Sequence, residues 1–389
     1  MATERAHRGP SRRALLGAGG GLVLSLALTP LARAGQAAGE SAGPGAGHLA
    51  DDLAGQGAQY ASACRFPDGR FGVALLGESG AILRTAEIPA RGHCAAVDPA
   101  GRRLALFARR PGTFAIVLDR AGAPDRVIEA AEGRHFEGHG QFSRDGRLLY
   151  AAENAYEEGV GVVGVYDVGK GFARIGELPC HGVGTHEILF AADGRTLIVA
   201  NGGILTHPDY PRAPLNLADM QPSLARVDIE TGDLLESVAP PAALQSLSPR
   251  HLAVDARGRA WLGCQWEGAD EAAAPLLAVH APGEDLRLVA LPDEAREALR
   301  HYVGSLAIAD DGRRLAVSGP RGGIVLVVDT ETEMVVDRRP LHDGCGAAPA
   351  TGGGFVLTSG DGDVVVRRAS ADAGVGHADV AWDNHLRRL

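Results

Sequence analysis

Lysine is all but missing from this 389-residue chain: Lys170 is the only one, and arginine supplies every other basic side chain. The formal net charge is −10, and residues 1–34 carry Arg5, Arg8, Arg12, Arg13 and Arg33 against Glu4, so the rest of the chain holds −14. That acidic body excludes the basic face that nonspecific nucleic-acid binding needs, and it suits a cation or a basic partner. Cysteine is scarce and poorly placed for cross-linking. Cys64, Cys94, Cys180, Cys264 and Cys345 are odd in number, widely spaced and without a C-x-x-C pair, which fits small buried side chains better than a disulfide framework. There is no G-x-S-x-G nucleophile elbow, no Walker phosphate loop and no C-x-x-C-H haem attachment. Beyond the N-terminal region no apolar run is long enough to span a bilayer, and no long amphipathic helical pattern occurs, only a short one at Asp293–Arg300. What remains is an ordinary globular composition, 45% hydrophobic and 22% charged.

The N-terminus reads as an address. Ser11-Arg12-Arg13-Ala14-Leu15-Leu16 opens a Gly/Ala-rich apolar stretch to Leu31, and Ala32-Arg33-Ala34 has the small-x-small form of a cleavage site. Paired arginines, a weakly hydrophobic middle and that ending predict a twin-arginine signal peptide over 1–34. The expected destination is the periplasm, with no membrane span after cleavage. Residues 35–55 are small, polar and Gly-rich and read as a flexible linker.

From residue 56 to 389 one pattern recurs: an apolar run, a glycine turn, then a second apolar run. The turn glycines are Gly69, Gly101, Gly146, Gly194, Gly258, Gly312 and, in a weaker copy, Gly353. Asp-Gly between alternating runs is a hairpin signal, because the turn needs φ > 0. Further strand candidates end at Asp119, Asp167, Asp228 and Asp329. Four short strands per unit at blade-length spacing predict an all-β fold, a single seven-bladed β-propeller of four-stranded antiparallel blades. The ring must close, and the strands near Tyr60 and Asp379–Trp382 are the candidates for closing it.

If the glycine turns join the first and second strands of each blade, they mark one end of the ring. Segments just before the first strand and just after the second then meet at the other end, near the axis. His93, His139, His186 and His251 precede the first strand at near-equivalent positions in four consecutive units. Neutral imidazoles gathered on an axis are natural transition-metal ligands, so these four are the candidate metal ligands, for iron or copper, at a site that could also take an anionic ligand. His93 and His186 lie eight residues before their turn glycine, but His139 and His251 lie seven before theirs. A bulge is therefore needed to aim all four inward. Glu153, Asn154, Asn201, Gln265 and Arg321, just after second strands, and Arg250 beside His251 are candidate ligand-binding groups. The long insertion after Asn201 adds His207, with Asp209 and Met220 as neighbours that could reach the channel.

At these motifs the chain resembles a bacterial family known as domain of unknown function 1513. The matching stretches are HFEGHGQFSRDGRLLYAAENAYEEGVGVVGVYD, the GTHEILF segment through the insertion to SLARVD, SPRHLAVD with GCQWEG, YVGSLAIADDG with SGPRGG, and the terminal WDNHL. The resemblance implies an exported propeller encoded beside imelysin-type iron-uptake proteins, hence an expectation of periplasmic partners of that kind, and it supplies no catalytic residues. The reading it favours is a monomeric periplasmic propeller binding a metal ion or metal-containing ligand in a histidine-lined funnel, in iron or other metal uptake. A metal-dependent hydrolase or oxidoreductase using the same funnel, and a non-catalytic interaction scaffold of an iron-uptake system anchored at Tyr156 and Trp266, are the alternatives.

Overall fold

A computed structural model describes residues 57–119, 126–210, 213–269, 273–368 and 371–389. The expected signal peptide and linker lie outside the described residues. Seven four-stranded antiparallel sheets make up the fold. They form a seven-bladed β-propeller, as the repeat predicts. Six blades run in chain order from the inner strand outward. Their inner strands are Gly92–Val97 in blade 2, Arg134–Phe142 in blade 3, Thr185–Phe190 in blade 4, Leu247–Val254 in blade 5, Ser305–Ile308 in blade 6 and Gly344–Pro349 in blade 7. Each inner strand touches the next, and that of blade 7 touches Ala381–Arg388, the inner strand of blade 1. Ala381–Arg388 pairs antiparallel with Tyr60–Arg65, so Trp382 faces Cys64 and Arg388 faces Tyr60 across the seam. The ring thus closes where the sequence pointed.

Local chemistry explains the repeat. In the turn between first and second strands, glycine supplies positive φ: 69° at Gly146, 69° at Gly194 and 66° at Gly312. The aspartate before it accepts backbone N–H groups beyond the turn, as Asp193 Oδ1 does from Arg195 and Thr196 at 2.8 Å each. The aspartate ending the third strand works alike. Asp228 Oδ1 accepts from Glu230 and Thr231, and Asp329 Oδ1 from Glu331 and Thr332. The three inner strands are packed on both faces against neighbouring blades, which is why they read as continuous apolar runs. Outer strands such as Ile82–Ile88 and Val335–Pro340 alternate in burial. The seam has its own core: Tyr60, Leu76, Val356, Val364, Trp382 and Leu386 belong to one buried cluster across blades 7 and 1.

One turn differs from expectation. Gly69 joins Tyr60–Arg65 to Phe71–Leu76, and these are the second and third strands of blade 1, because Ala381–Arg388 is the first. Its turn therefore lies at the opposite end of the ring from the other six. The closing strand arrives from far along the chain, so blade 1 has no hairpin joining its first and second strands.

Candidate metal centre

Five histidines, not four, meet on the axis. His93, His139, His186 and His251 come from the inner strands of blades 2, 3, 4 and 5, and His385 comes from the closing strand of blade 1. Ring centroids lie 4.6 Å apart for His93 and His385, 4.7 Å for His139 and His385, 4.9 Å for His139 and His186, and 4.9 Å for His251 and His385. The remaining two blades carry Ser305 and Cys345 on their inner strands.

The needed bulges are present in every histidine-bearing strand. Pairing with the second strand shifts between Gly92 and Ala95, Phe136 and Gly140, Thr185 and Glu187, Pro249 and His251, and across Asp383–His385. Extra residues at one level turn side chains that simple alternation would send elsewhere. Gly138 shows how tight the arrangement is. Its φ is 100°, and a Cβ there would stand 2.6 Å from the His93 ring.

Each Nδ1 faces an oxygen from another blade. His93 Nδ1 is 3.1 Å from Asp383 Oδ1, and His139 and His251 Nδ1 are 3.5 and 3.6 Å from the two oxygens of Glu187. His186 Nδ1 is 3.7 Å from Glu137 Oε2, and His385 Nδ1 is 3.5 Å from Ser305 Oγ. At His93 the hydrogen-bonded carboxylate fixes the tautomer and leaves Nε2 for a metal, whereas the Nδ1 atoms of His139, His186 and His251 face their carboxylates without a hydrogen bond. The Nε2 atoms of His139, His251 and His385 are buried with no hydrogen-bond partner, the condition an ion would relieve. Two triads can each offer one nitrogen per ring within 4.8 Å of one another: His93, His139 and His186, and His139, His251 and His385. His139 is common to both. Bonds near 2.1 Å to a tetrahedral ion put ligand nitrogens about 3.4 Å apart, so the rings must draw inward on binding. His93 and His186 also line an open cavity of about 730 Å³, so the first triad is reachable from solvent and the second lies behind it.

The electrostatics favour the neutral imidazole at four of the five axial positions. Burial, then neighbouring imidazoles, hold His93, His186 and His385 well below the ordinary histidine value. Burial also lowers His251, to about 4, despite Glu187. His139 goes the other way. Burial would lower it, but Glu187 and Cys94 more than offset that and raise it to about 9. Beneath the rings, Arg387 Nη2 donates to Glu187 Oε1 at 2.7 Å and Arg387 Nε to Cys94 Sγ at 3.1 Å. Burial would raise the Cys94 thiol, but Arg387 and His139 bring it below its usual value. All five cysteines are free and buried, and Cys94 is the one tied to the cluster.

These shifts carry a pH dependence. Below about pH 6.5 an unfolded chain takes up protons on His93, His186, His251 and His385, which the folded chain resists. Their contribution to stability is therefore full above 6.5 and falls as pH drops toward 4, by about 1.4 kcal/mol per pH unit per proton. The His139 contribution has the opposite sign and is lost as pH rises through 9. Thermal melts of metal-free protein from pH 7.5 to 4.5 should show that fall, with a shallower slope in His251→Gln. A flat melting temperature between pH 6.5 and 5 would mean the rings titrate freely.

The other residues singled out in the sequence fall into two groups. Arg250, Gln265 and Arg321 line the cavity above His93 and His186. Glu153, Asn154, Asn201 and His207 are not among its lining residues. Glu153 is fully buried between strands, accepting from Tyr166 Oη at 2.5 Å and Arg174 at 2.9 Å. Asn201 accepts from Thr185 Oγ1 and donates to the Cys180 carbonyl. Asn154 donates to Glu137 at 2.7 Å, so it braces the carboxylate behind His186. His207 sits on the insertion near Tyr156 and Glu157, while Met220 is buried. Sequence reasoning missed His385, Glu187, Asp383, Arg109 and Arg110. An acid-x-His triplet at Glu137-Gly138-His139 and Asp383-Asn384-His385 is the signal that could have exposed His385.

No curated protein matches the chain. Among solved structures it is similar to hydrazine synthase of Kuenenia stuttgartiensis, at 16% identity and a TM-score of 0.59 over 84% of this chain and 99% of that one. It is also similar to the Cps50 (Swd1) β-propeller domain of Myceliophteria thermophila, at 13% identity and a TM-score of 0.53 over 78% of this chain and 94% of that one. Identities this low speak for the propeller alone. A family profile matches residues 86–389, a span that includes all five axial histidines, and the chain belongs to the family described as protein of unknown function (DUF1513).

Proposed function

We propose that this propeller holds a transition-metal ion, iron or copper, on its axial imidazoles and serves in metal uptake in the periplasm after export by the twin-arginine route. The observation that carries the reading is the meeting of five histidine rings from five adjacent blades. Three of them have buried Nε2 atoms without partners, and carboxylates stand behind four. Soft-to-borderline imidazole donors suit iron, copper or zinc and not calcium or magnesium. Imelysin-type proteins are the proposed partners in the periplasm, on the strength of the family resemblance.

His139→Ala is the test, because it removes a ligand from both triads. Metal content of purified protein, and titration of metal-free protein with iron(II), copper(II) and zinc(II), should show a single tight ion in the wild type. The variant should bind at least about a hundred-fold more weakly, more than the 10–100-fold typical of losing a group behind a ligand. His207→Ala, away from the axis, should bind as the wild type does. Wild-type protein that takes up none of the three ions, or a His139→Ala variant that binds normally, would sink the proposal.

A further inference from the structure

The cavity over the imidazoles is walled by arginine. Arg109, Arg110, Arg250 and Arg321 all line it, and Asp343 is the one carboxylate among its described lining residues. Such a concentration stands out in a chain whose formal charge is −10. Two of the four guanidiniums serve structural pairs: Arg250 donates to Glu267 Oε1 at 3.1 Å, and Arg110 lies 3.9 Å from Glu137. Neither Arg109 nor Arg321 has a carboxylate within ion-pair distance among the described residues. Arg321 lies over the Tyr302 ring, 5.0 Å from its centroid. Arg250 is buried, 4% exposed, and its Nε has no hydrogen-bond partner. Grouping like charges around an empty volume costs free energy, and that cost is recovered when an anion enters.

We propose that this cavity binds a small organic polyanion carrying two or more carboxylate or phosphate groups. Guanidinium forks match both oxyanions bidentately. About 730 Å³ is several times the room one inorganic oxyanion needs and lies in the range of small-molecule sites. Gln265, Tyr302 and Asn384 add neutral polar groups to the wall, and Asn384 Nδ2 donates to Tyr302 Oη at 2.7 Å, fixing both. His93 and His186 form part of the same wall, so an oxyanion seated there reaches the outer triad. The inference rests on the metal reading for that last step: a polyanion would complete the coordination of the ion, or deliver it as a chelate. The arginine wall itself binds an anion with or without metal.

Calorimetric titration of the full chain, metal-free and metal-loaded, tests this with citrate and pyrophosphate as probes and glycerol as the neutral control. At least one polyanion should bind one-to-one, more weakly as salt rises, and glycerol should not bind. The tighter probe distinguishes carboxylate from phosphate chemistry, and binding of citrate only with its metal distinguishes a chelate from the free acid. Arg321→Gln, at an exposed position, and Arg109→Gln should each weaken binding at least about ten-fold, about 1.4 kcal/mol. Arg257→Gln, at the far end of the ring, should leave it unchanged. The inference is overturned if neither anion binds either form, or if Arg321→Gln and Arg109→Gln bind like the wild type. Metal uptake without anion binding would remove this inference and leave the metal reading intact. Anion binding without metal uptake would do the reverse.

Discussion

A chain ending at Val380 is expected not to fold. It lacks Ala381–Arg388, the inner strand of blade 1, and with it the buried side chains Trp382 and Leu386 that knit blades 7 and 1. The loss leaves Tyr60–Arg65 with an unpaired edge facing the axis and opens the ring, and a propeller blade cannot bury both its faces without neighbours on each side. No cooperative melt should be seen, and proteolysis should be rapid. The truncated chain should bind no ion, since His385 and Asp383 go with the strand. A truncated protein that melts cooperatively near the wild-type temperature would show that the ring holds without its seam.

The second large effect is expected at Glu187. This carboxylate is almost fully buried, 3% exposed. It meets Arg387 at 2.7 Å, accepts the Leu252 backbone N–H at 2.9 Å, and faces His139 and His251. Burial would raise its pKa, but His139 and Arg387 hold it well below the ordinary carboxylate range. Glu187→Ala strands the partly buried Arg387 guanidinium, 26% exposed, without its counter-charge, a change expected to cost about 3 kcal/mol, the low end of the range for breaking a buried pair. It also removes the negative charge that faces two imidazoles, which should weaken metal binding by about 10–100-fold. Glu187→Gln keeps the shape and one acceptor and should lose less stability while losing comparable metal affinity. Denaturant melts and metal titrations on the two variants separate these roles. Equal stability of Glu187→Ala and wild type would mean that Arg387 finds water or another partner.

Much of this architecture was legible from glycine and aspartate alone. Turns such as Asp193-Gly194 and Asp311-Gly312 admit few backbone solutions, so their spacing reports blades directly. The four histidines counted back from those turns were also legible, because each stands seven or eight residues before its turn glycine, which places them at nearly one level. His385 escaped because no glycine hairpin follows its strand, which pairs across the seam instead. The same seam made the Gly69 turn look like its six counterparts when it belongs to the other end. Glu153 and Asn201 lie away from the cavity for a different reason. They end second strands, where a shift of one residue decides between channel and blade interior, and sequence alone does not show the bulges that set that parity. Arg109 and Arg110 occupy the same kind of position as Arg321, yet without the folded ring nothing marks them as neighbours of the imidazoles.

The sharing of His139 by two triads has a consequence in time. An ion arriving from the cavity would meet His93, His139 and His186 first. It could pass inward by exchanging two ligands for His251 and His385 while His139 kept hold, so no step would leave it bare. Such a hand-over would give uptake in two phases, a quick one that a chelator reverses and a slower one that resists it. A protein built this way would accept its cargo readily and surrender it reluctantly.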